Sequence, residues 1–260
     1  MKTVKYSLLL LAVCAGFMAC KKDEPEAPAP TPPPAATTGT LSVQFDNKVG
    51  DSILVLGNAK SYVTQNNDTF TVSKFNYYIS NVRLIKSNGD VYVEPESYHL
   101  IQSDIASSLQ FNISNVPLGD YSSIQFVIGV DSTRNVSGAQ TGALDPLHGM
   151  FWSWSTGYIQ AKLEGTSPQA SGGSIVYHIS GFSGSYNPLI TKTLTFNGDV
   201  ATVSASSTPV VHMKADIQEW FKSPAIIDIS TTYFCMNVNA TSFQIAKNYH
   251  DMFTVTHVSN

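Results

Sequence analysis

FTVSKFNYYISNVRLIKSNGDVYVE, residues Phe70–Glu94, decides the fold class. Phe75, Tyr77 and Ile79 occupy one parity, Val82 and Leu84 the other. Period-two alternation is the mark of a strand with one face buried. The change of parity predicts a bulge near Ser80-Asn81, since one extra residue returns both apolar sets to the same face. Asn88-Gly89 then predicts a tight hairpin, because both central positions of that turn require positive φ.

The same pattern extends outward in both directions. Leu41, Val43 and Phe45 alternate with polar residues, and short runs follow at Tyr98–Ile101, at Leu109, Phe111 and Ile113, and at Ile124, Phe126, Ile128 and Val130. Pro117, Gly119 and Asp120 turn the chain before the last of these. Further on, Ile159, Ala161 and Leu163 oppose Tyr158, Gln160 and Lys162, and Ile175, Tyr177 and Ile179 leave His178 on the opposite face. Leu194 and Phe196, Val200–Val203 and Val210–Met213 continue the series. Many short alternating strands predict an all-β, antiparallel β-sandwich of barrel-like form. Two short helices are expected near the C-terminus, one over Asp216–Lys222 and one over Ser242–Phe253 that Ser242 would cap.

The N-terminal residues are of another kind. MKTVKYSLLLLAVCAGFMAC places Lys2 and Lys5 before an apolar run and ends at Cys20, which predicts a secretory signal over residues 1–20 that is too short to span a membrane. Cys20 resembles the lipidated cysteine of bacterial lipoproteins, so a lipid anchor in the outer membrane, on its periplasmic face or at the cell surface, is expected. Residues 21–40 form a Pro-rich tether. Glu24–Thr40 holds six of the thirteen prolines and favours extended polyproline II. At about 3.1 Å per residue such a tether reaches roughly 60 Å. Residues 41–260 then form a single domain.

A net charge of -4 without a Lys/Arg cluster argues against nucleic acid as a partner. Of three cysteines, Cys14 would leave with the signal and Cys20 would carry lipid. Cys235 is then left without a disulfide partner and is expected to be buried. The motifs of nucleophile elbows, phosphate loops and metalloprotease helices are absent, and the chain is not expected to be an enzyme. Asp131, Asp145 and Glu164 read as turn or solvated carboxylates rather than an acid/base pair.

Chemistry concentrates in GVDSTRNVSGAQTGALDPLHGMFWSWSTGYIQAKLEG, residues Gly129–Gly165. Trp152 and Trp154 face the same way at strand spacing, a pattern read either as core packing or as the platform of a sugar-binding surface. His148, His178 and His212 lie on or beside strands that a sandwich could bring together, with Met150 near His148 and Met213 beside His212. Imidazole and thioether together suit copper, although a single histidine is more often a hydrogen-bonded side chain than a ligand.

The run from Gly129 through W-x-W-x-x-G-Y at Trp152–Tyr158, with YHISGF at Tyr177–Phe182, KFNYYISNVRL at Lys74–Leu84 and NYHDMF at Asn248–Phe253, resembles the MbnP-like lipoproteins associated with methanobactin operons. The resemblance implies an all-β exported protein that binds a single copper ion for capture, storage or delivery. It also implies that a tryptophan, Trp152 or Trp154, is converted to kynurenine by a partner dihaem protein of the MbnH type. Its implied ligands are His178 and His148, with His212 and Met150 behind them. YHISGF lacks the cysteine found at the end of the corresponding stretch in founding relatives. The alternative is a metal-free surface module that binds a glycan or protein through the tryptophan pair.

Overall fold

The spine of the protein is the eighteen-residue strand Thr69–Lys86, seen in a computed structural model that describes residues 36–138, 140–153 and 157–260. Its first half pairs antiparallel with Gly157–Thr166 and its second half with Gly119–Ile128. Along the opposite edge lie Gly57–Val63, Tyr98–Gln102 and Val91–Val93 in turn. Between Ser80 and Arg83 the register shifts, and Asn81 takes φ 54°. That bulge puts Tyr77, Ile79, Val82 and Leu84 into one core, as the parity change predicts. The hairpin forms too, but its turn is centred on Ser87-Asn88, with the Gly89 N–H bonded to the Lys86 carbonyl at 2.9 Å, and of the predicted pair it is Gly89 and not Asn88 that takes positive φ.

This eleven-stranded sheet continues from Gly157–Thr166 to Ser174–Ser180 and on to the short strand Phe234–Cys235. A second, five-stranded sheet is centred on Thr38–Val49, flanked by Gln110–Pro117 and Val210–Asp216, with Phe253–Ser259 outside the latter. The all-β expectation holds, and the sheets are mixed: among the described residues Thr38–Val49 runs parallel to Val210–Asp216 and Ser174–Ser180 parallel to Phe234–Cys235. The first strand starts at Thr38, three residues before the predicted domain start.

Aromatic rings join the sheets. Phe45 meets Tyr77 at 5.8 Å and Phe253 at 5.9 Å, and Phe253 also meets Phe126 at 5.4 Å. Such pairs add about 0.5–1.5 kcal/mol each beyond burial of their area. The Tyr77 hydroxyl, fully buried in this core, donates to Asn47 Oδ1 at 2.9 Å.

Both C-terminal helices are present and shorter than the sequence suggests. The first covers Glu219–Lys222, because Asp216 ends a strand and spends Oδ1 on the backbone N–H groups of Gly50 and Gln218. The second, Ala240–Tyr249, is capped by Asn239, and Ser242 is the reciprocal member of a capping box rather than the cap itself. No described helix is long and apolar enough to cross a membrane. The expectations for residues 1–20, for Cys20 and for the tether up to Ala35 lie outside the described residues, as does Trp154.

Candidate functional site

The Gly129–Met150 segment folds over the face of the large sheet that looks away from the main core. Asp131 starts this cover. Its Oδ1 accepts from the Thr133 and Arg134 N–H groups and opens the short helix Ser132–Asn135, while its Oδ2 accepts from the Tyr98 hydroxyl at 2.6 Å and from Asn81 at 2.9 Å. Burial works to raise the Asp131 pKa, but these hydrogen bonds outweigh it and hold the carboxyl below its ordinary value. Asp145 likewise caps the turn Pro146–His148. Both carboxylates therefore build the loop.

A second apolar cluster fixes the cover to the sheet. Val130, Leu144 and Met150 pack with Tyr78, Leu100, Tyr158 and Ile159, and the two tyrosine hydroxyls donate to the Ala143 and Leu144 carbonyls. Residues Gly157–Leu163 are consequently buried on both faces. Met150 is fully buried in this cluster, which accounts for it as packing.

Beyond the edge of that cluster, the outer face of two neighbouring strands carries a polar group of residues. Lys162 and His178 are direct cross-strand partners, and Glu164 lies on the diagonal from His178. His178 Nε2 is 2.7 Å from Glu164 Oε1, so the imidazole donates Nε2–H to the carboxylate. Its Nδ1 is buried and has no hydrogen-bond partner among the described residues. Burial lowers the His178 pKa and Lys162 adds to this, outweighing the opposing pull of Glu164. In the neutral ring with Nε2 protonated, Nδ1 carries a free lone pair.

Trp152 stands against this imidazole, its ring centroid 5.6 Å from that of His178 and inclined at 71°. It is 40% exposed, so Trp152 is not a core residue; it forms a wall open to solvent. Lys162 is buried, and its Nζ donates to the Gly149 carbonyl at 2.6 Å. Burial pulls the lysine below its ordinary pKa against the field of Glu164. The same bond ties the chain next to His148 to the strand pair that bears His178. The His148 ring itself is exposed and rests its Nε2 3.0 Å from the Gly142 carbonyl.

His212 lies elsewhere, on the outer face of the five-stranded sheet, stacked on His257 at 4.0 Å. The three-histidine convergence is therefore not formed, and no group of three or more His, Cys, Asp or Glu side chains among the described residues is placed to hold a metal. Cys235 is buried, as expected, and free among the described residues. Burial raises its thiol pKa to about 11.

The family model described as MbnP matches residues 38–240. The chain belongs to the MbnP family. The matched span holds the cover, Trp152, Glu164 and His178, whereas NYHDMF at Asn248–Phe253 falls beyond its end. Among solved structures, MbnP from Methylosinus trichosporium is similar in fold, with a TM-score of 0.50 and 16% identity over 75% of this chain and 80% of that one. No curated protein matches the chain by sequence. Within this MbnP-family fold, the sequence pattern names His178 and Trp152, reads Glu164 as a turn or solvated carboxylate where it engages His178, and gives Lys162 no role although it holds the adjoining loop. Glu164 and Lys162 share a parity with each other, and the cross-strand pairing needed to see their role requires the register.

Proposed function

We propose that this MbnP-family protein binds one copper ion, with Nδ1 of His178 as its anchoring donor, and that it serves copper capture, storage or delivery outside the cytoplasm. The observation that carries the reading is a buried Nδ1 without a hydrogen-bond partner among the described residues, on a ring whose other nitrogen is held by a carboxylate. A metal-ligating histidine characteristically donates its second N–H to such a group, which fixes the tautomer and raises the basicity of the ligand. Neutral imidazole suits copper. His148 is the second donor in this reading, since the Lys162–Gly149 bond holds its backbone beside the His178 strand and, among the described residues, its ring has one carbonyl contact to give up.

Trp152 lines the site in this reading. Its exposure leaves the indole accessible to a dihaem partner of the MbnH type for conversion to kynurenine, in which the indole C2–C3 bond breaks, three waters are taken up, C2 leaves as formic acid, and four electrons pass to the oxidising partner with release of four protons, with Trp154 the other candidate. The chain is then the substrate of that oxidation and not an enzyme. Location completes the proposal: export, lipid attachment at Cys20 and an outer-membrane position, which loss of labelled lipid in Cys20→Ser would test.

Copper titration of the purified protein decides the central claim. His178→Ala should weaken binding by more than the roughly 10- to 100-fold that loss of an outer-shell partner costs. Unchanged affinity in both His178→Ala and His148→Ala would overturn it. Peptide mass spectrometry of protein from its native host reads whether Trp152 or Trp154 is kynurenine. The exposure of Trp152 also favours a second reading, a glycan- or protein-binding platform without metal. That reading requires glycan binding that persists in the presence of a chelator and is lost in Trp152→Ala.

A further inference from the structure

The five-stranded sheet carries a pair of histidines that the His178 site does not use. His212, on Val210–Asp216, and His257, on the neighbouring antiparallel strand Phe253–Ser259, are register partners. Their rings lie 4.0 Å apart and 10° from parallel. Val211 and Met213 on either side of His212 are buried in the core, so His212 projects to the outer face, where His257 is exposed. A register shift after His212 sets both Thr256 and His257 against it.

What holds the rings is weak. His212 Nε2 contacts the Ser259 hydroxyl at 3.2 Å, and His257 Nδ1 contacts the Thr256 hydroxyl at 3.2 Å. No carboxylate engages either ring by hydrogen bond or ion pair among the described residues, in contrast to His99, His178 and His250. Burial first and then the neighbouring His257 hold His212 below the ordinary histidine pKa, while Asp46 acts in the opposite sense. The field of that carboxylate equally favours a cation beside the pair.

We propose that His212 and His257 form a second metal site, a two-imidazole chelate for a divalent first-row transition ion on the outer face of the five-stranded sheet. The rings cannot share one ion while parallel. Chelation requires one ring to turn out of the stack, at the expense of its hydroxyl contact, so that both lone pairs meet one ion at the ~2.0–2.1 Å that imidazole nitrogen adopts with such metals. The remaining positions face water. Affinity follows the order in which Cu²⁺ exceeds Ni²⁺ and Zn²⁺, and the oxygen-seeking Ca²⁺ and Mg²⁺ do not compete. The site rests on residues separate from those of the proposed copper site and stands or falls independently of it.

The test is calorimetric titration of the untagged full chain with Ni²⁺ and then Cu²⁺, at neutral pH, in wild type, His178→Ala, His212→Ala, His257→Ala and His257→Gln, with circular dichroism to verify the fold of each. Removing one donor of a chelate eliminates an intramolecular binding step, so His212→Ala and both His257 variants should lose about 100-fold in Ni²⁺ affinity. His178→Ala should retain this site unchanged. Retained affinity in His212→Ala and in the two His257 variants, or a loss that appears equally in His178→Ala, would overturn the proposal.

Discussion

Glu164 reaches diagonally across two strands to take the Nε2–H of His178 at 2.7 Å, and this single bond decides which nitrogen of the ring is available. The carboxylate is a positioning group. Glu164→Gln keeps an acceptor but removes its charge, while Glu164→Ala frees the ring to change tautomer and rotate. On the proposed copper reading, affinity should therefore fall in the order wild type, Gln, Ala, with the alanine variant down by about 10- to 100-fold. Quenching of tryptophan emission by added copper provides the titration. Three equal affinities would remove Glu164 from the site.

The two described tryptophans predict opposite outcomes. Trp220 is fully buried between Phe75 and Tyr249, with its indole N–H directed at Met252 Sδ. Trp220→Ala should cost about 3–5 kcal/mol, the usual penalty for emptying a large aromatic site. Trp152 loses far less contact because its ring is 40% exposed, so Trp152→Ala should cost about 1 kcal/mol. Urea melts compare the two directly. A large loss in Trp152→Ala would restore the core-packing reading of this residue.

Gln160 predicts a stability effect hidden from its sequence pattern. Its Oε1 accepts the Val130 N–H at 2.6 Å and its Nε2 donates to the Gly181 carbonyl at 2.8 Å, with no exposure to water. Gly129, at φ +116°, also has to lack a side chain, since a Cβ there would lie 2.7 Å from the same Oε1. Gln160→Leu strands two buried backbone groups, each costing about 1–3 kcal/mol, so a total loss of about 2–6 kcal/mol is expected in a denaturant melt.

These cases separate what is local from what is not. The bulge at Ser80-Asn81, the hairpin that Asn88-Gly89 marks and the outward side of His178 follow from parity and turn chemistry over a few residues. They were legible, and so was the resemblance that led to Trp152. The burial of Tyr158, Gln160 and Lys162 was not, because the layer that covers them comes from a loop whose fold depends on Asp131 meeting Tyr98 and Asn81. His212 was placed with His178 by residue type alone. Its true sheet is set by the parallel pairing of Val210–Asp216 with Thr38–Val49, a contact between distant parts of the chain that no local pattern encodes.

Cys235 supplies a prediction in pH. Burial raises its thiol to about 11, above the ordinary 9.0. Thiolate is the reactive form, and the folded protein withholds it on two counts, by access and by ionisation. Iodoacetamide at pH 8 should therefore leave Cys235 unmodified in the native protein and alkylate it in urea, read by peptide mass mapping so that any label on Cys14 or Cys20 is counted apart. The linkage has a definite sign. Below about pH 9 the thiol is protonated in both states and contributes nothing to the slope. Between about 9 and 11 the unfolded chain releases its proton first, so stability falls as pH rises, and Cys235→Ala should flatten that part of the curve. Rapid labelling of the native protein at pH 8 would show instead that the strand Phe234–Cys235 opens readily from the edge of the large sheet.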